Sequence, residues 1–101
     1  MTTVVLIHEE KDDIQEIQID INEIYKILPG RGTFVGQWPE IDVVIMKAVV
    51  ASVKNENVLP PPFHEETVLG NILLVRMDEN SEPQDFTKEE YLAWVERTPY
   101  P

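Results

Sequence analysis

Residues 42–53 read DVVIMKAVVASV, and this stretch does most to determine which fold the sequence predicts. It is rich in β-branched side chains, namely Val43, Val44, Ile45, Val49, Val50 and Val53. Such side chains favour an extended strand that packs on a pleated surface. Both faces of that strand are mostly apolar, which predicts a central strand covered on both sides, with a buried helix as the less favoured alternative. An aspartate at Val44 or Val50 would then abolish folding.

Size and composition predict one soluble domain. A chain of 101 residues can bury one modest core, and a hydrophobic fraction of 43% argues against disorder. Cysteine is absent, which excludes disulfides, thiolate metal sites and a cysteine nucleophile, and fits a reducing compartment. The first residues carry no basic region typical of a secretion signal, and no apolar run reaches the roughly 20 residues of a membrane span. We therefore expect a soluble protein in the cytoplasm or the nuclear interior of a cell.

The charge of the chain is strongly negative and unevenly distributed. Nineteen acidic residues against eight basic ones give a formal net charge of −11. The acidic excess lies in residues 1–28 and 64–101, whereas residues 29–63 are neutral. Nucleic acid is an unsuitable direct ligand for such a surface, because phosphates need basic side chains. An acidic surface can instead imitate a phosphate track, or it can serve solubility alone.

The remaining segments predict a small α+β domain that spans residues 1–101. The predicted strands are Thr3–His8, Ile14–Ile19, Gly32–Trp38, Asp42–Val53 and Thr67–Met77, and the predicted helices begin at Asp20 and Thr87. The first two strands form a hairpin. Gly36 indicates a bulge or a close backbone approach, and Gly70 a bulge in the last strand. The order is ββαβββα, with a mainly antiparallel sheet, two helices packed on it and an extended tail at residues 98–101.

Capping boxes define both predicted helix starts. Asp20 can accept a hydrogen bond from the amide of Glu23, whose side chain reaches back, and Thr87 stands in the same relation to Glu90. Phe86 precedes the second cap at the position of a hydrophobic staple.

This order of elements, together with the turn, proline and capping residues between them, resembles that of a class of small uncharacterised proteins of tailed phages and large double-stranded DNA viruses. The matching features are the hairpin, the short helix and the proline-containing link Leu59–Pro62. They continue with the strand Gly70–Val75, which starts at a glycine, and the acidic loop that leads to Asp85–Glu90. The resemblance covers nearly the whole chain and implies a viral source and an accessory role in infected cells. It implies no catalytic residue, because the class carries no assigned activity.

Histidines give the only candidates for a metal site. His8 is followed by Glu9 and Glu10, and His64 by Glu65 and Glu66. Adjacent residues do not converge on one ion, so a site requires the two clusters to meet in space. Otherwise both are solvated polar turns. No phosphate-binding loop or nucleophile elbow is present, and we predict no catalytic residue, no metal site and no cofactor.

The candidate partner-binding residues are Leu59, Pro60, Pro61, Pro62 and Phe63, which we call the Pro-rich loop, together with Trp38. Three consecutive prolines form an extended, stiff segment that loses little entropy on binding, and aromatic residues are enriched at binding hot spots. The alternatives are a rigid crossover loop and a core position for Trp38.

Three functions remain open from the sequence. The first is a non-enzymatic module that binds another protein, host or viral, through the Pro-rich loop and the neighbouring sheet edge. The second is an acidic mimic of nucleic acid that occupies a basic DNA-binding protein. The third is a metal-dependent enzyme that uses His8 or His64. The sequence favours the first, with no direct binding of nucleic acid or membrane.

Overall fold

Every strand pairing in this computed structural model, which describes residues 1–28 and 32–97, is antiparallel. The strands are β1 (Thr2–Ile7), β2 (Ile14–Ile19), β3 (Gly32–Trp38), β4 (Val43–Ala48), β5 (Ile72–Met77) and β6 (Pro83–Gln84). Their order in the sheet is β2-β1-β5-β4-β3, and the short β6 pairs with the end of β5. The helix α1 (Lys88–Arg97) follows β6. The predicted class, a small α+β domain with a mainly antiparallel sheet and a C-terminal helix, is confirmed.

The middle strand of the sheet is β5, and the strand predicted for residues 42–53 is shorter and lies beside it: β4 has a neighbouring strand on each side, as predicted for an internal strand, but it is not the middle one. β5 lies between β1 and β4, and Ile72, Leu73, Leu74 and Val75 are fully buried. β4 ends at Ala48, while Val50 is 79% exposed. The ladder between the two strands ends where Lys47 faces Ile72, because the chain turns into β5 at Gly70 with a φ of 83°. Without an adjacent strand to supply hydrogen bonds, the valines beyond Ala48 leave the sheet.

The predicted order ββαβββα is not found. The first helix is a 3₁₀ helix, Ile21–Lys26, in which Glu23 has non-helical backbone angles. Asp20 does cap it, but its Oδ1 accepts from the amide of Asn22 at 3.0 Å, and Glu23 pairs with Lys26 instead. A second 3₁₀ helix, Pro39–Ile41, and the strand β6 were not predicted. The predicted bulge at Gly70 is instead the entry into β5.

The start of α1 follows the sequence signal closely. Thr87 Oγ1 accepts from the amide of Glu90 at 3.1 Å, and Glu90 Oε1 accepts from the amide of Thr87 at 3.2 Å. Phe86 is fully buried, and its ring lies edge-on to the ring of Tyr91 at a centroid distance of 6.5 Å. These contacts are the predicted capping box and the hydrophobic staple.

Both faces of the sheet carry a hydrophobic core. The helix face is covered by α1 and the Pro-rich loop, and its buried side chains include Trp38, Ile45, Leu74, Phe86 and Tyr91. The opposite face, which we call the 3₁₀ face, is covered by residues 21–28 and includes Val4, Leu6, Leu28, Leu73 and Val75. No helix within residues 1–28 and 32–97 is long and apolar enough to span a membrane. The predicted tail, residues 98–101, lies outside the described residues.

Candidate protein interface

The Pro-rich loop is a compact turn rather than the extended segment that its prolines predict. Leu59 is 2% exposed, and Pro60 and Trp38 are also buried. The amide of Phe63 donates to the carbonyl of Pro60 at 3.2 Å, which closes the turn. Of the six predicted contact residues, only Pro62 is exposed to solvent, and Pro61 and Phe63 are half-buried. The loop therefore belongs largely to the core.

The loop is fastened to the last residues of β3. Trp38 Nε1 donates to the carbonyl of Pro61 at 3.1 Å, and the Phe63 ring lies edge-on to Trp38 at a centroid distance of 6.0 Å. Trp38 also contacts Tyr91 and Trp94 of α1. The loop thus forms a rigid support for β3 on the helix face.

The outer edge of β3 is open in the described part of the chain. β3 pairs with β4 on one side and with no described strand on the other. Its sequence, GTFVGQW, contains no charged residue and no proline. Natural edge strands are usually protected by charges, prolines or covering elements, and β3 has only a bulge between Phe34 and Gly36.

The opposite edge of the sheet is better protected. β2 carries Glu16, whose Oε1 accepts from the amide of Lys88 at the start of α1, at 3.0 Å. Its remaining exposed side chains are Gln15 and Gln18. A charged side chain that is bonded to the start of α1 therefore protects β2, whereas β3 carries no charged side chain.

A concavity of about 420 Å³ lies beside β3. Its lining residues are Phe34, Gln37, Pro39, Asp42, Val44, Met77, Asp78 and Ser81. Phe34 is 61% exposed although it is large and apolar. In the register of β3 with β4, Phe34 faces Met46 and Gln37 faces Val44, so the bulge brings both onto the 3₁₀ face. The result is an apolar floor that opens towards the free edge.

The rim of this concavity is negatively charged. Hydrogen bonds from the amides of Glu82 and Asn80 and from the Gln84 side chain lower the pKa of Asp78, with the Glu82 amide as the largest cause. Asp42 is exposed and has a left-handed backbone with a φ of 57°. No salt bridge to Asp42 or Asp78 occurs among the described residues. The rim therefore offers the carboxylate groups of Asp42 and Asp78 to a ligand.

The histidines lie elsewhere. His64 lines a groove of about 700 Å³ with residues of mixed charge that include Lys11, Lys54, Glu65 and Glu66. His8 is not part of that lining, and its Nε2 is buried without a hydrogen-bond partner in the described part of the chain. Within residues 1–28 and 32–97, no group of three or more His, Cys, Asp or Glu side chains is positioned to hold a metal ion.

The exposure of Phe34 was not predicted from the sequence, although one signal for it was present. An aromatic residue in a strand without charges, with a glycine two residues away on either side, is compatible with a core strand or with an open edge. The lack of any charge in Gly32–Trp38, compared with Glu16 in β2, was the available indication of an unprotected edge.

Comparison with known proteins gives a family but no activity. The model of a family described as "Family of unknown function (DUF5880)" matches residues 5–94. No curated protein and no solved structure matches the chain.

Proposed function

The chain belongs to this family of unknown function, and we propose that the protein is a non-enzymatic interaction module that takes an extended segment of another protein onto β3. The observation that carries the proposal is the open, uncharged edge of β3. Such an edge presents a row of backbone donors and acceptors, and an added strand pairs with them directly.

The Pro-rich loop contributes to this function as a support rather than as a contact surface. Its hydrogen bond from Trp38 and its packing on Trp38 hold one face of β3 in place before a partner arrives. An edge that is already ordered loses less conformational entropy on binding. The predicted contact residues thus keep a role in the proposal, with Pro62 as the exposed part of the loop.

The setting of this function is part of the same proposal. The resemblance of the element order to small phage and viral proteins supports an accessory role in an infected cell, in the cytoplasm or the nuclear interior. The net charge of −11 supports a protein partner over a nucleic acid, because carboxylates repel phosphates.

Peptide selection followed by amide hydrogen exchange tests the proposal. A library of random displayed peptides, each long enough to span β3, is selected against the full chain. We expect the enriched peptides to slow exchange of β3 amides and to leave those of β2 unchanged.

Backbone methylation of an enriched peptide gives a second test that leaves every side chain in place. N-methylation of one alternating set of residues should abolish binding, and methylation of the other set should be tolerated, because an added strand pairs through one edge only. Enriched peptides that protect no β3 amide, or that tolerate methylation at every residue, would overturn the proposal.

A further inference from the structure

We infer that the segment bound at β3 is basic and amphipathic: it places one apolar side chain on Phe34 and a Lys or Arg side chain against Asp42 and Asp78. This inference rests on the proposed function, and it adds the chemistry by which the partner is recognised.

The apolar part follows from the geometry of the concavity. Alternate side chains of a strand added to β3 point to the 3₁₀ face, where Phe34 lies. The floor of the concavity is formed there by Phe34, Val44 and Met77, of which Val44 and Met77 are half-buried. One apolar side chain of the added segment covers the exposed part of Phe34, and aromatic residues at such positions contribute strongly to binding.

The basic part follows from the uncompensated charge at the rim. The lining contains Asp42 and Asp78 and no Lys, Arg or His. Arg76, a neighbour of Met77 in β5, is engaged elsewhere, because its Nη1 donates to Glu90 Oε2 at 2.7 Å and to the carbonyl of Asp85 at 3.1 Å. A cation from the partner is therefore the group that neutralises the rim.

The charge of the whole chain favours the same partner over the two other occupants of an open edge. A second copy would bring together two chains that each carry −11, and a nucleic acid would place phosphates beside Asp42 and Asp78. A basic segment is attracted by the whole chain before it docks, which raises the association rate and makes it depend on salt.

The composition of the selected peptides and two charge variants test the inference. We expect enriched peptides to carry Lys or Arg near a constant apolar position. Asp42→Asn should weaken their binding about two- to fivefold, as expected for one exposed ion pair. Asn tolerates the left-handed backbone of Asp42. Asp12→Asn is the matched control. Asp12 is also an exposed aspartate with positive φ, but it lies in the hairpin turn and does not line the concavity. This variant should bind the peptides as tightly as the wild type.

The apolar contact has its own pair of variants. Phe34→Ala should weaken binding about tenfold or more. Tyr25→Ala should not change it, because Tyr25 is similarly exposed at 59% but does not line the concavity. Circular dichroism and thermal melting confirm that each variant is folded.

The outcomes distinguish a failure of this inference from a failure of the proposed function. Peptides that protect β3 amides but lack basic residues, and that bind Asp42→Asn as tightly as the wild type, overturn the inference and leave the proposed function in place. A selection that enriches no peptide protecting β3 overturns both. A dimer in sedimentation velocity that is lost in Phe34→Ala identifies a second copy as the occupant and also overturns the inference.

Discussion

The ring of Phe63 occupies the space that a side chain at Gly36 would fill. A Cβ atom built at Gly36 would overlap the outer atoms of the Phe63 ring, Cζ and Cε1. The absence of a side chain at this residue of β3 therefore allows the Phe63 ring of the Pro-rich loop to pack directly on the strand. This contact makes the loop part of the core and leaves the edge of β3, rather than the loop, as the exposed surface.

Gly36→Ala should destabilise the protein by about 2 kcal/mol, because the added methyl group forces the Phe63 ring out of its place. In a Phe63→Ala background the same change should cost little or even stabilise, since alanine has a lower backbone entropy cost than glycine in a strand. Urea unfolding of the four members of this double-mutant cycle measures the coupling. Strictly additive effects would show that the two residues do not meet.

The sequence predicted the parts of the fold that depend on neighbours along the chain. The hairpin of Ile14–Ile19 with the first strand, the caps at Asp20 and Thr87, and the staple at Phe86 all rest on residues a few positions apart. The position of β5 in the centre of the sheet could not be predicted, because both β4 and β5 are apolar enough to be covered on two faces. Which of two such strands lies in the middle of the sheet depends on the pairing of distant segments.

Val50→Asp should be tolerated, with a change in stability of less than about 0.5 kcal/mol, because Val50 is largely exposed after the end of β4. Ile45→Asp should unfold the protein, since Ile45 is fully buried between the two neighbours of β4 and an unpaired carboxylate there costs several kcal/mol. Thermal melting of both variants is the measurement. Loss of the cooperative transition in Val50→Asp would instead indicate that β4 extends beyond Ala48 and that Val50 is buried in it.

The position of the Pro-rich loop in the structure was predicted less well than the fold, and the reason is again a long-range contact. Prolines without amide donors and a tryptophan before a proline are features of exposed recognition segments and of tight turns alike. Which of the two the loop becomes depends on the hydrogen bond that Trp38 Nε1 donates to the carbonyl of Pro61, which is 23 residues away in the sequence. Nothing in the local pattern predicts that hydrogen bond, whereas the lack of charge in β3 was visible in the sequence.

Asn55→Ala should destabilise the protein by roughly 3 kcal/mol. Asn55 is 4% exposed, and its Nδ2 donates to the carbonyls of Ile7 at 3.2 Å and Gly70 at 2.9 Å. Truncation removes two buried hydrogen bonds, and a buried polar group that loses its partner costs about 1–3 kcal/mol. The exposed Asn22 provides the control, since Asn22→Ala should be nearly neutral by urea titration. Equal effects of the two variants would mean that these hydrogen bonds do not stabilise the fold.

Acid sensitivity should depend on the ion pair between Arg76 and Glu90. Burial raises the pKa of Glu90, but the hydrogen bonds from Arg76 and Thr87 and the charge of Arg76 outweigh it, so the folded-state pKa lies below the ordinary value. The ionised carboxylate therefore contributes stability that is complete above about pH 4.3, the ordinary pKa of a glutamate, and is lost as the pH falls through the lower folded-state pKa.

Glu90→Gln should thus lower the free energy of unfolding at pH 7 by less than about 1 kcal/mol, because 42% of the Glu90 side chain is exposed and solvent screens the pair. The variant should lose less stability than the wild type between about pH 5 and pH 3, since it has no carboxylate to protonate at this position. Glu89→Gln, at the adjacent exposed glutamate, should keep the acid sensitivity of the wild type. Urea unfolding at a series of pH values compares the three proteins, and an unchanged acid dependence in Glu90→Gln would rule out Glu90 as a source of stability.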